Sequence, residues 1–195
     1  MGSNKKLFDI VIRDIWEWVV SHNNWLSATH IPGVLNEEAD AESRASDTRT
    51  EWRLNPDDFQ HIVSILGFSP DIDIFASRIN SQLPRFVSFR PDPEAEEIDA
   101  FTLDWSQFKF YAFPPFILVG RVIQKIIMDK ATGIVVAPDW PNQPWYHSFS
   151  QLVVRECFLY PRDDLLYLPN DEDTVHPLHQ SLRLRAALLS SGTSL

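Results

Sequence analysis

A Pro-Pro corner fixes where one strand of this chain must end. Residues 108–113 form an apolar and aromatic run that Pro114 and Pro115 follow directly. Neither proline can donate a backbone hydrogen bond and both fix φ, so a strand that reaches Phe113 stops there and leaves a stiff, carbonyl-rich turn. The ring of Phe116 follows the turn. In an open α/β sheet, ligands bind at such a strand end. A turn that only joins a strand to a helix is the plainer alternative.

Strand and helix patterns alternate on both sides of the corner. A helix is predicted from Asn55-Pro56 to Gly67, because asparagine caps helices, proline suits the first helical position and glycine ends them. A second helix runs from Val119 to Gly133. Strands that alternate with helices predict an α/β fold with a small, doubly wound, mostly parallel sheet. Buried strands are expected at residues 71–77, 85–89, 108–113 and 134–138, and a further helix near residues 145–153.

Composition limits the classes of partner and compartment. The chain has 195 residues, a net charge of −10 and one cysteine, Cys157. An acidic surface argues against tight non-specific binding to nucleic acid, because that binding needs many lysines and arginines. A single cysteine excludes an internal disulfide and fits a reducing compartment. With no long apolar segment, we expect an intracellular protein, cytoplasmic or nuclear, with no membrane contact.

Two short motifs near the amino end carry a first family resemblance. They are His30-Ile31-Pro32-Gly33 and Asn36-Glu37-Glu38-Ala39-Asp40, and they follow a predicted helix and strand. This order resembles the carboxyl-terminal part of a ribonuclease H domain from a retroelement polyprotein. The resemblance implies that Asp40 matches the last carboxylate of a two-metal site. It also implies that His30 lies on a loop that helps product leave and that Glu37 occupies another conserved polar position.

We expect this segment to be inactive. Two-metal hydrolysis needs several carboxylates to hold two divalent ions close together, and the family takes its other three from elements that precede this segment. Residues 1–45 are therefore interpreted as a truncated ribonuclease H remnant, with magnesium only in the intact parent. The parent's substrate would be DNA or an RNA–DNA hybrid. The exposed remnant could mediate self-association.

Four motifs in the rest of the chain resemble a methyltransferase domain. They are the strand and turn at 71–77, the segment at 98–101, the corner at 113–116 and the tryptophan-rich run at 138–145. In this order they resemble the Dam-like adenine-N6 methyltransferase domain that follows ribonuclease H in DIRS-type retrotransposons. The resemblance implies a Rossmann-like fold and S-adenosylmethionine as cofactor.

In that family the corner begins with Asp or Asn, whose side chain accepts a hydrogen bond from the target amino group. The resemblance therefore assigns the catalytic position to Phe113, Pro114, Pro115 and Phe116. Pro114 keeps the carbonyl acceptor and Phe116 keeps a ring that could stack on a flipped-out base. Phe113 cannot accept the amino proton, and losing such a transition-state bond costs about a hundredfold to a thousandfold in rate.

The resemblance also indicates cofactor and cleft residues. Asp73 and Asp99 are the candidates for binding the cofactor's ribose or adenine, because an acidic residue at a strand end commonly does so. A cap or turn role is the alternative for both. Trp140 and Trp145 are candidates for lining the cleft, with core packing as the alternative.

Taken together, the sequence predicts four segments: a remnant at 1–45, a linker at 46–54, a Dam-like domain at 55–160 and a polar acidic tail at 161–195. A short helix is expected within the tail at 181–189.

The predicted function is that of a retroelement polyprotein fragment with a degenerate methyltransferase-like domain. One alternative is a non-catalytic module that binds a nucleoside, nucleic acid or protein. Another is an active methylase that takes its acceptor from Asp139 or Tyr111.

Overall fold

The computed structural model describes residues 51–171 and 174–192. The remnant, with His30, Glu37 and Asp40, lies outside these residues. The described part of the chain contains α-helices and strands around a central mixed sheet, which confirms the α/β class. None of the helices in this part has the length and apolar character needed to cross a bilayer. The helices are α1 (Pro56–Leu66), α2 (Val119–Asp129) and α3 (Tyr146–Leu152), and the strands are β1 (Arg53–Leu54), β2 (Ile72–Asp73), β3 (Val87–Ser88), β4 (Glu97–Ile98), β5 (Phe110–Ala112), β6 (Thr132–Pro138), β7 (Val153–Leu159), β8 (Leu166–Tyr167) and β9 (Leu184–Ser190).

Helix α1 begins and ends at the predicted residues. The Asn55 side chain accepts a 2.9 Å hydrogen bond from the N–H of Asp57, and Pro56 takes the first helical position. Gly67 ends the helix in the left-handed conformation, with φ of 59°. Because these signals are local, they could be recognised without knowledge of the tertiary structure.

Helix α2 ends earlier than predicted. Lys130, not Gly133, adopts the left-handed conformation at its end, with φ of 51°. Gly133 lies in β6, where a Cβ atom would approach the ring of Phe110 to 2.5 Å. Glycine is therefore needed at this position for close packing between neighbouring strands, and the prediction that it stops the helix is wrong.

The largest sheet is mixed, with strand order β2-β5-β6-β9-β7. β2, β5 and β6 pair in parallel, as the alternation of strands and helices predicts. β9 is antiparallel to both β6 and β7, so β7 runs in the same direction as β6. Four of the five strands thus share one direction, and the fifth is inserted between β6 and β7.

The reversed strand comes from the segment that was predicted to be a tail. Leu184–Ser190 pairs with Thr132–Pro138 along its whole length, so the helix predicted at 181–189 is wrong. β8 also lies in the predicted tail, and it pairs with β1 at the end of the predicted linker. Alanine and leucine favour helices locally, but pairing on both edges and burial of Leu184–Leu189 determine the strand.

A second small pair of strands extends the sheet beyond β2. The N–H of Asp73 donates to the carbonyl of Arg85 at 2.9 Å, whereas the N–H of Ile74 donates to the carbonyl of Tyr111 at 3.0 Å. Successive N–H groups of a strand point to opposite sides, so the chain at Arg85 lies on the side of β2 away from β5. A parallel bridge joins Asp73 to Phe86, and β3 then pairs in parallel with β4.

Helices cover both faces of the sheet, as in a doubly wound fold. Phe110 and Ala112 of β5 pack with α2, whereas Tyr111 packs on the other face with α1. Strand β6 alternates in the same way, with Ile134 and Val135 on opposite faces. This alternation of wholly buried residues is typical of a central strand between two helical layers.

Candidate functional site

A hollow lies where the order of the strands reverses. From β2 the chain proceeds outward to β3 and β4, and it then returns to β5 and β6 on the other side of β2. The carboxyl ends of β2 and β5 therefore flank a topological switch point, where open α/β sheets bind ligands. The hollow there is small and open, with a cavity volume of about 10 Å³, roughly enough for one water molecule. We call it the switch-point hollow, and its lining consists of Trp52, Leu54, Asp73, Phe75, Asn80, Gln82, Tyr111 and Phe113.

Asp73 is the acidic group of this hollow. It is 2% exposed, and its two carboxylate oxygens accept hydrogen bonds from the N–H groups of Phe75 (3.3 Å) and Gln82 (3.0 Å). Burial raises the pKa of Asp73 to about 7, although both N–H groups and the charge of Arg53 oppose the rise. The carboxyl group can therefore gain or lose a proton near neutral pH.

Tyr111 lies on β5, opposite Asp73 of the neighbouring parallel strand β2. Its side chain is 1% exposed, and its hydroxyl oxygen is buried with no hydrogen-bond partner among the described residues. Burial, followed by the charge of Asp73, raises its pKa well above the usual value for tyrosine. A buried hydroxyl normally has a partner, so this atom is free to bond a ligand or a water molecule.

The Pro-Pro corner forms part of the rim. Phe113 directly follows the end of β5, two residues beyond Tyr111, and both residues line the hollow. Pro114 is buried and Pro115 is exposed. The carbonyl of Pro115 accepts a 2.8 Å bond from Leu118, which begins the turn into α2.

Phe116 and Trp140 form an aromatic row that leads away from the hollow. The ring centroids of Phe113 and Phe116 are 6.2 Å apart, and those of Phe116 and Trp140 are 5.4 Å apart in an edge-to-face arrangement. Neither Phe116 nor Trp140 lines the hollow. The row does connect the corner with the end of β6.

Asp99 and Trp145 also lie away from the hollow. Asp99 follows β4, where its side chain caps a short 3₁₀ turn by accepting from Phe101 at 3.1 Å. Trp145 packs against Phe149 in the core beside α2. The structure therefore brings Asp73 and Phe113 together and leaves Asp99 and Trp145 outside the hollow.

Sequence reasoning did not identify Trp52, Asn80 and Gln82. Asn80 accepts hydrogen bonds from Ser77, and the side chain of Gln82 donates to the carbonyl of Leu54. Both lie in the loop that follows β2, a position that often contacts cofactors, so their place in the chain was an available signal. Trp52 offered none, because it reaches the hollow from the segment just before β1, which is distant in sequence.

The described residues contain no cluster of three or more His, Cys, Asp or Glu side chains that could hold a metal ion. The predicted metal residues Asp40, Glu37 and His30 are outside this part of the chain. No protein-family model and no curated protein matches the sequence.

Proposed function

We propose that this chain is a segment of a retroelement polyprotein whose residues 51–192 form a degenerate, methyltransferase-like domain. In this proposal the domain binds a nucleoside cofactor, S-adenosylmethionine, and has lost most of its adenine-N6 transfer. The observation that carries the proposal is the position of Phe113 at the rim of the switch-point hollow.

The strand arrangement supports the cofactor part of the proposal. Nucleoside cofactors bind at the switch point of doubly wound sheets, and the hollow lies there. Many doubly wound folds contain an antiparallel strand in an otherwise parallel sheet, and β9 is such a strand here. Asp73, at the carboxyl end of β2, is the acidic residue best placed to bind the cofactor.

The chemistry of the corner supports the loss of transfer. A phenyl ring at position 113 provides no acceptor for a target amino group, and the nearest ring beyond it is that of Phe116. Of the two substitute acceptors, Asp139 already accepts a 2.7 Å bond from Tyr146 and lies 3.3 Å from the guanidinium of Arg183. Tyr111 is the better substitute, since among the described residues its hydroxyl has no hydrogen-bond partner.

The test is to measure binding and transfer of labelled S-adenosylmethionine with adenine-containing DNA. We expect the chain to bind the cofactor and to transfer little. Phe113→Asn restores the acceptor and should raise transfer by about tenfold or more, because such bonds contribute about a hundredfold to a thousandfold in intact sites. Phe89→Asn is the matched control, since Phe89 is 81% exposed and does not line the hollow.

Each other result contradicts a stated part of the proposal. If Phe113→Asn binds the cofactor but transfers no more methyl groups than the unmodified chain, the corner is not part of the transfer site. Efficient transfer by the unmodified chain would instead favour an active methylase, and loss of that transfer in Tyr111→Phe would identify its acceptor. Absence of cofactor binding would favour a non-catalytic binding module.

A further inference from the structure

The cavity at the switch-point hollow has the size of a single water molecule. Its volume is about 10 Å³, close to the space that one water molecule needs. Four of the residues around it carry polar side chains, namely Asp73, Asn80, Gln82 and Tyr111. Cavities with an apolar lining stay dry, whereas a cavity of this size holds water when about two to four polar groups can bond to it. The composition of the lining therefore favours water.

The hydroxyl of Tyr111 belongs to this lining and needs a partner. Its oxygen is buried and forms no hydrogen bond with the described residues. Burial, and then the charge of Asp73, raises the pKa of Tyr111, so the two groups are close to each other although no direct bond joins them. They stand opposite each other on neighbouring strands, which lie about 4.8 Å apart. A small molecule between them would satisfy the hydroxyl.

Other polar side chains of the lining have hydrogen-bonding capacity to spare. The carboxylate oxygens of Asp73 accept one backbone N–H each, from Phe75 and from Gln82, and a carboxylate oxygen can accept a second bond. The amide oxygen of Asn80 accepts from Ser77, which leaves the amide N–H groups of Asn80 as donors. A water molecule in the hollow therefore meets both donors and acceptors.

We propose that the switch-point hollow binds one water molecule, which bridges the carboxyl group of Asp73 and the hydroxyl of Tyr111. Asn80 provides a further N–H donor from the loop that follows β2. Water suits both protonation states of Asp73, because it donates to a carboxylate and accepts from a carboxylic acid. The inference does not rest on the proposed function, since a bridging water molecule requires no cofactor.

The start of β1 and the residues before it hold the loop that follows β2. The hydroxyl of Ser77 donates to the carboxylate of Glu51, and the side chain of Gln82 donates to the carbonyl of Leu54. Trp52 lies between these two contacts in sequence and lines the hollow. Because the loop is tied to this segment at two points, the hollow keeps the dimensions of a water site.

The first test is a high-resolution crystal structure of the unmodified chain at one pH below and one pH above neutral. We expect one density peak about 2.5–3.0 Å from both a carboxyl oxygen of Asp73 and the hydroxyl oxygen of Tyr111. The peak should be present at both pH values, because water can reverse its hydrogen bond to Asp73. Absence of the peak at both would overturn the inference, and a peak at one pH only would overturn its role in both protonation states.

The second test is the direction in which Tyr111→Phe shifts the urea midpoint of unfolding. If water bonds the hydroxyl, the substitution removes a hydrogen bond and the midpoint should fall by about 0.5 M. A hydroxyl that is buried without any partner is costly, so its removal would raise the midpoint instead. The ring itself, with its edge-to-face contact to Phe59, is the same in both proteins. Tyr167→Phe is the matched control, because Tyr167 lies in β8 and outside the hollow, and it should shift the midpoint little.

The outcomes separate this inference from the proposed function. A density peak together with a lower midpoint would support the inference. A higher midpoint, or equal shifts in Tyr111→Phe and Tyr167→Phe, would overturn the bond to Tyr111. A chain that shows the peak but binds no S-adenosylmethionine would support the inference and contradict the proposed function, whereas cofactor binding by a chain without the peak would support the proposed function and overturn the inference.

Discussion

Asp73 and Tyr111 stand opposite each other on two parallel strands, and both line the same hollow. The carboxyl group and the phenol therefore share one environment from which water is largely excluded. Burial, and then the charge of Asp73, raises the pKa of Tyr111 well above its usual value, so the two groups do not ionise together in the physiological range. The hollow consequently has two states near neutral pH, which differ in whether Asp73 carries a charge.

The first prediction concerns stability and pH. Folding raises the pKa of Asp73 from 3.8 to about 7, so the folded protein keeps a proton that the unfolded chain loses within this window. The free energy of unfolding should therefore fall as pH rises from about 4 to about 7, by on the order of 4 kcal/mol, and level off above that.

Asp73→Asn should lack this contribution. Urea unfolding of both proteins from pH 4.5 to pH 8 gives the difference directly. The pKa values of Glu96 and Asp104 are lowered, but their contributions to the free energy of unfolding are the same in both proteins and cancel in the difference. A difference that does not change with pH would show that Asp73 titrates normally.

The second prediction concerns the contact between Gly133 and Phe110. Gly133→Ala would place a Cβ atom 2.5 Å from the Phe110 ring, so the ring or the strand must shift. Overpacking of this kind should lower the free energy of unfolding by about 1–3 kcal/mol. Gly192→Ala is the control, because its nearest neighbour is 3.7 Å away. Equal stabilities of the two variants in urea would contradict the packing described for β5 and β6.

The third prediction compares a sheltered ion pair with an exposed one. The buried guanidinium of Arg185 donates to Glu156 at 2.6 Å and to Ser150 at 2.8 Å. Glu156→Gln should cost about 2 kcal/mol, because it leaves a buried charge without its counter-ion.

The exposed pair of Arg85 and Glu96 provides the comparison, since both side chains are more than 40% exposed. Glu96→Gln should change the free energy of unfolding by less than about 1 kcal/mol. Thermal or urea unfolding of both variants measures the contrast. A larger loss for Glu96→Gln would reverse the expected order.

The fourth prediction tests the position of β9. Leu188 is 4% exposed in this strand, whereas Leu178 is 39% exposed in the preceding loop. Leu188→Ala should lower the free energy of unfolding by about 2–5 kcal/mol, and Leu178→Ala by less than about 1 kcal/mol. If residues 184–190 were part of a solvated tail, both substitutions would have the same small effect.

The elements that sequence patterns predict correctly are those with local signals. Asn55, Pro56 and Gly67 delimit α1 within a few residues, and the prolines after Phe113 mark the end of β5. Asp73 could be selected because it lies at the end of an apolar strand. Each of these inferences depends on neighbours in the chain, which the sequence supplies directly.

The elements that sequence patterns miss depend on distant partners. Leu184–Ser190 contains leucine and alanine at spacings that suit a helix, and its strand conformation depends on β6 and β7. Trp52 and Gln82 both line the hollow. The side chain of Gln82 donates a hydrogen bond to the carbonyl of Leu54, which joins the two distant segments of the chain. No local pattern distinguishes such residues from ordinary surface positions. The retroelement origin and the methyltransferase activity remain predictions.

The insertion of β9 between β6 and β7 has a consequence for synthesis on the ribosome. β9 is the last of the described strands to leave the exit tunnel, yet β7 pairs with no other strand of its sheet. Until β9 emerges, β6 and β7 both present unpaired edges, which are prone to intermolecular association. The sheet therefore cannot be completed until residues 184–190 have left the exit tunnel, and chaperone protection during that interval should favour the yield of folded protein.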